Sequence, residues 1–271
     1  MKKEKVLIIL IILIVGGFFV LKNIQGKSNT QQDNHIAEEI YENCQINSIE
    51  QLKQENKTNT TNDNTSTKED KEESNTIVKQ SVGKSYFNDA LFIGDSRTVG
   101  ISEYGDLNNA TFFANVGMSV YNVFDKTVSV SSVGKLKLEE LLKTKKFKKV
   151  YIMLGINELG YDMNQTLEKY KKLIQYIENN QSNAIIYIQS NLHVAYAKSS
   201  KDKTINNMRI NNFNNEIAKF ADNKKTFYID INEKFDDQNG NLASEYTNDN
   251  VHIYAKYYKE WSNWLSQNAV K

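Results

Sequence analysis

Between Ser81 and Lys271 five short apolar runs alternate with helix-forming stretches, and this alternation constrains the fold more than any other feature of the chain. The runs are ALFIG (90–94), ATFFANV (110–116), KKVYIML (148–154), AIIYIQS (184–190) and TFYIDI (226–231). Between them lie LKLEELLKTK (136–145), NQTLEKYKKLIQYIENN (164–180) and TINNMRINNFNNEIAKFAD (204–222), and AKYYKEWSNWLSQNAV (255–270) follows the last. Leu167, Tyr170, Leu173, Ile174 and Ile177 recur at helical spacing and make one apolar face. Met208, Ile210, Phe213, Ile217 and Phe220 do the same, as do Tyr257, Trp261, Trp264 and Leu265 near the end. Near-continuous apolar strands separated by amphipathic helices predict a mainly parallel, five-stranded sheet covered on both faces. Sites in such sheets form beyond the carboxyl ends of the strands, here the segments after Ile93, Val116 and Leu154.

The chain before this domain is of another kind. VLIILIILIVGGFFVL, from Val6 to Leu21, is uncharged and follows Lys2, Lys3 and Lys5. At about 1.5 Å per helical residue it spans roughly 24 Å, and snorkelling lysines with local thinning match that to a bilayer. The lysines favour a cytoplasmic start, so residues 1–22 are expected to be an uncleaved signal-anchor, with a single pass through the cell membrane and the rest of the chain extracytoplasmic. Residues 23–80 are rich in Asn, Thr, Gln, Ser, Lys and Glu and cannot bury enough apolar surface to offset their chain entropy, so they read as a disordered polar linker. The folded domain is then 81–271. A net charge of +1 gives no global field for nucleic acid, and the single cysteine, Cys44, excludes an internal disulfide and a multi-cysteine metal site. The chain has no proline and abundant Asn, Lys and Ile, a pattern of AT-rich coding bias, and some of the asparagine richness is discounted as a structural signal on that ground.

Each strand end carries a distinctive segment. Gly94-Asp95-Ser96 follows the first run, NVGMS with Gly117 the second, and LGINELG with Gly155 and Asn157 the third; NDNVHIYAKYY, with Asp249 and His252, follows the last. Singly, each is ordinary turn or capping chemistry. Jointly they supply the parts of acyl transfer. A serine hydroxyl needs a base, and histidine is the side chain suited to that task near neutrality. His35 lies in the linker, which leaves His252, with Asp249 three residues before it, and His193 as a rival with no acid so placed. The N–H groups of Ser96 and Gly117 and the side-chain amide of Asn157 can serve a developing oxyanion. FDDQNGNL (235–242) lacks carboxylates at the first and last positions of a calcium loop and reads as a turn. The lysines of KTKKFKK (143–149) read as a solvated helix end.

These four segments resemble the four blocks of the SGNH, or GDSL-type, hydrolases: Gly94-Asp95-Ser96 the first, Gly117 the second, Gly155-x-Asn157 the third, Asp249-x-x-His252 the last. The resemblance covers residues 85–271. It implies a three-layer α/β/α sandwich and a Ser96–His252–Asp249 triad, with Ser96, Gly117 and Asn157 as oxyanion donors and no metal or organic cofactor. Two positions depart from the family pattern. Glu158 stands where an aspartate is usual, which changes loop support but not the donor. Asn250 stands where glycine is common, and Asn tolerates the left-handed turn better than most residues.

The expectation is a serine esterase that removes short acyl groups, O-acetyl above all, from a cell-surface glycan through an acyl-enzyme. The partners are then an acylated glycan or other small ester and the membrane, with oligomeric state open. Two alternatives stay open on the sequence: an acyltransferase using the same triad on a glycan hydroxyl, and a non-catalytic surface binding module that keeps the fold.

Overall fold

The computed structural model describes residues 79–270. The expected anchor (1–22) and nearly all of the expected linker (23–80), with His35 and Cys44, lie outside the described residues. No helix among the described residues is long and apolar enough to cross a membrane.

β1 (Lys79–Gln80) opens the described chain and pairs antiparallel with its last strand, β9 (Ala269–Val270). The five apolar runs become β2 (Ala90–Gly94), β3 (Thr111–Ala114), β6 (Lys149–Met153), β7 (Ile185–Gln189) and β8 (Thr226–Ile229). They form one sheet in the order β3-β2-β6-β7-β8, parallel throughout. β4 (Val128–Val130) and β5 (Gly134–Leu136) make a separate hairpin. The helices are α1 (Ser96–Tyr104), α2 (Leu138–Thr144), α3 (Met163–Asn180), α4 (Tyr196–Ser199), α5 (Asn207–Ala218), α6 (Asn232–Phe235) and α7 (Tyr258–Gln267).

The strands must be apolar on both faces because each face meets helices. Leu91, Ile93, Val150, Ile152, Ile186 and Ile188 pack with Leu141, Leu173, Ile177, Ile210 and Phe213 from α2, α3 and α5. The alternate residues Phe92, Tyr151, Met153, Tyr187 and Ile229 pack with Ile101 of α1 and Trp261 and Leu265 of α7. Three layers result. Withdrawing each such side chain from water favours the fold by roughly 1.5–3 kcal/mol before chain entropy is counted. On the second face, register sets aromatics side by side: Phe112, Phe92, Tyr151 and Tyr187 follow one another across four strands at 5.0, 4.5 and 4.4 Å between ring centroids.

The register also levels the strand ends. Gly94 pairs with Ala114 and with Met153, and Gln189 with Ile229. From β2 the chain passes to β3 on one side and then crosses to β6 on the other, while its helices change faces. In open α/β sheets that reversal is where sites form, here beyond the carboxyl end of β2.

Three expectations need correction. Met208 is not on the buried face of α5; it is exposed, and Asn207 takes the inward position with Ile210, Phe213, Asn214 and Ile217. The lysine run is a solvated helix end only in part: Lys143, Lys146 and Lys148 are exposed, but Lys145 donates to Thr111 Oγ1 and Lys149 is buried in β6 against Asp89 and the Tyr86 ring. Four of the asparagines are not compositional filler. Asn191, Asn207, Asn214 and Asn232 are buried; the last three bond the backbone at 191–194, beyond β7, and Asn191 accepts the Ile156 N–H and donates to the Leu154 carbonyl, beyond β6.

Candidate active site

Ser96 is the first residue of α1, and Asp95 caps that helix by accepting the Arg97 N–H at 2.9 Å. A first-turn N–H has no partner within its own helix, so the helix leaves the Ser96 N–H available as a donor. Asp95 is wholly buried, and burial pushes its carboxyl up against the opposing pull of the Arg97 charge. Arg97 is buried too, and its Nη2 donates to the Leu192 carbonyl at 3.2 Å.

Ser96 Oγ lies 2.9 Å from His252 Nε2, although 156 residues separate them. The other ring nitrogen, Nδ1, lies 2.7 Å from Asp249 Oδ2. Asp249 Oδ1 accepts the N–H groups of His252 at 2.7 Å and Val251 at 2.9 Å, and the Thr247 hydroxyl at 3.2 Å. Burial works to raise the Asp249 carboxyl, but these bonds outweigh it and hold the group down at about 2. An ionised Asp249 can only accept, so Nδ1 carries the proton and Nε2 presents its lone pair to the serine hydroxyl. Asn250 adopts φ +67°, the left-handed turn expected of it.

The second and third segments meet on the same edge. Met118 N–H donates to the Asn115 carbonyl at 3.0 Å, and Gly117 between them has φ +71°. This is a turn that needs a left-handed residue at its third position. A side chain on Gly117 would meet nothing within 4 Å, so the glycine answers to backbone conformation and not to crowding. Asn157 Nδ2 donates one hydrogen to the Met118 carbonyl at 3.0 Å and keeps a second for another acceptor. Glu158 is buried, and its Oε1 accepts the Val120 N–H at 2.6 Å, so the longer acid reaches the Gly117 loop and supports it. Burial raises the Glu158 carboxyl to about 7. Gly155, at φ +135°, sits against Phe213 and Asn191, where a side chain has no room.

His193 corrects the sequence reading, which found no acid beside it. Its Nδ1 lies 2.7 Å from Asp236 Oδ2 and its Nε2 2.7 Å from Asn211 Oδ1. Burial lowers its affinity for a proton, and the Asp236 bond more than restores it, so the net shift is upward. Both ring nitrogens are engaged and the ring is buried, so His193 joins loop to helix and has no free nitrogen for a serine. FDDQNGNL is a turn: Asp237 N–H donates to the Asn241 carbonyl at 2.7 Å, and Asp236 bridges Leu242. No cluster of metal-ligating side chains occurs among the described residues. The reading missed Thr247 and Arg97 as supports. A signal for Arg97 was there to be found, since an arginine on the apolar side of a capped helix must find acceptors inside.

Residues 92–259 match the model of the GDSL-like lipase/acylhydrolase family. A GDSL-like lipase from Bacteroides thetaiotaomicron is 16% identical with a TM-score of 0.51, over 68% of this chain and 88% of that one. A Streptococcus pneumonia protein assigned to platelet activating factor is 20% identical with a TM-score of 0.50, over 68% and 88%. A Bacteroides fragilis protein assigned as an acylhydrolase is 17% identical with a TM-score of 0.50, over 66% and 84%. At such identities the likeness shows the shared fold. No curated protein sequence matches the chain. The family match takes in more than half of the 271 residues and includes the Ser96 and His252 segments, so the chain belongs to the GDSL-like lipase/acylhydrolase family and is an ester hydrolase.

Proposed function

We propose that the protein is a serine esterase acting on short acyl esters, chiefly O-acetyl groups of a cell-surface glycan. The observation that carries this is the bonded series Ser96 Oγ, His252, Asp249, at 2.9 and 2.7 Å. Ser96 Oγ attacks the ester carbonyl as His252 Nε2 takes its proton. The same nitrogen returns the proton to the leaving alcohol, and Asp249 keeps the ring oriented and stabilises the imidazolium. The tetrahedral oxyanion is held by the N–H groups of Ser96 and Gly117 and by the second Asn157 hydrogen, each worth roughly 10²–10³ in rate. Water then repeats the sequence on the acyl-enzyme. His252 and Asp249 are both part-exposed, at 39% and 49% of their side-chain surface, which suits a bulky alcohol component that stays outside while a small acyl group enters. The glycan is the fitting alcohol for a domain carried outside the cell, and we place the domain there through an anchor at 1–22 and a linker at 23–80.

The test is p-nitrophenyl acetate hydrolysis by the full-length protein in mild detergent beside its Ser96→Ala variant. Loss of at least about 10³ in kcat with an unchanged circular dichroism spectrum supports the assignment. Equal rates in both proteins refute it.

A further inference from the structure

Five of the seven large apolar side chains exposed among the described residues lie on segments that build or border the candidate site: Val116, Tyr161, Tyr196, Met208 and Tyr254. Val116 precedes Gly117, and Tyr254 lies two residues after His252. Tyr161 N–H donates to the Glu158 carbonyl at 2.8 Å, and Tyr196 follows Ala195, whose N–H donates to the Asn250 carbonyl at 3.0 Å. Arg209, beside Met208, donates to the Leu159 carbonyl at 2.7 Å. Single exposed apolar residues need no explanation, but five on the segments that border one site direct attention to what those segments contact.

Within this rim Tyr161 is the built element. Its ring lies 4.9 Å from that of Tyr121, with the planes 30° apart. Tyr121 is itself pinned, since its hydroxyl bonds Thr166 Oγ1 at 3.0 Å and Lys169 Nζ stands 5.0 Å from its ring centroid. Tyr161 nevertheless keeps 61% of its surface exposed, four residues from Asn157. An aromatic ring already held in place loses little freedom when a ligand covers it. The rim's chemistry selects the ligand. Three of its five members are tyrosines, and the two aliphatic ones, Val116 and Met208, are separate side chains on different segments, whereas Tyr161 has a second ring stacked behind it. A phenol offers an apolar face and a polar edge, which is what a pyranose also offers: C–H groups on its face, hydroxyls at its rim.

We infer that Tyr161, backed by Tyr121, is a sugar-binding platform on which a pyranose ring stacks, next to the residue that carries the ester. This rests on the glycan-ester reading above and names a subsite for it. The test compares the full-length protein with Tyr161→Ala and Tyr161→Trp on four probes: p-nitrophenyl acetate, p-nitrophenyl octanoate, O-acetylated xylo-oligosaccharides and O-acetylated N-acetylglucosamine oligomers. The expected result is that Tyr161→Ala raises KM for an acetylated oligosaccharide by roughly tenfold more than it does for p-nitrophenyl acetate, with kcat changed little. Tyr161→Trp restores the oligosaccharide KM, because the stacking surface returns. A parent that takes the oligosaccharides while Tyr161→Ala changes all probes by one factor overturns the platform alone. A loss confined to the octanoate overturns it in favour of an acyl-chain surface. A parent that takes neither acetylated oligosaccharide overturns the glycan reading and the platform with it.

Discussion

Glu158→Gln isolates one buried proton behind the candidate oxyanion site. Burial raises the Glu158 carboxyl from its ordinary 4.5 to about 7, against the opposing pull of the Val120 N–H. In the unfolded chain the same group ionises near 4.5. A folded value above the unfolded one means that this group's contribution to stability is complete below pH 4.5 and is lost as pH rises through about 7. At 1.36 kcal/mol per unit, that gap amounts to up to about 3 kcal/mol between pH 4 and pH 8. Glutamine keeps an Oε1 acceptor for Val120 and cannot ionise. Its amide also places N–H groups where Glu158 Oε2 is buried without a partner, a cost that does not vary with pH. The readout is therefore the pH dependence of the difference between the two proteins. Urea unfolding at pH 4, 6 and 8 should show the stability of Glu158→Gln relative to the parent rising by about 3 kcal/mol across the series. A difference that stays flat would show that the site accommodates the ionised carboxylate, and the reasoning from burial would fail.

Asn157→Ala should lower kcat on p-nitrophenyl acetate by roughly 10²–10³ with a smaller change in KM, since its free hydrogen is assigned to the transition state. Asn157→Asp should lose more, because it sets a negative charge against the oxyanion; a kcat within threefold of the parent in either variant removes Asn157 from the site. Gly155→Ala should cost at least about 3 kcal/mol and lower Tm by about 6–12 °C, because a Cβ there lies 2.2 Å from a Phe213 ring carbon on a backbone at φ +135°. Gly117→Ala, at φ +71° in open space, should cost only about 1–2 kcal/mol. Thermal unfolding that ranks the two glycines equally would refute the distinction between crowding and conformation.

The five strands were legible because a parallel sheet buried on both faces is made of continuous apolar runs, and these runs are too short to be buried or membrane helices. Asp249 and His252 were legible as a pair because both lie within one turn. Ser96 was joined to His252 by chemistry and not by spacing, since only a base makes a serine hydroxyl reactive. What stayed hidden depends on groups that meet only after folding. His193 gains Asp236 from 43 residues away, and Lys149 is buried because Asp89 and Tyr86 close over it. The asparagines at 191, 207, 214 and 232 look like composition until loops beyond β6 and β7 have to satisfy their backbone inside the protein. Periodicity placed Met208 on the inner face of α5, but Asn207 wins that place because the backbone at Val194 needs a donor and an acceptor there. Apolar pattern is a property of neighbours along the chain and can be read from it. Hydrogen-bond demand at a sheet edge comes from strands far apart in sequence, and it takes shape only when the register brings their ends level.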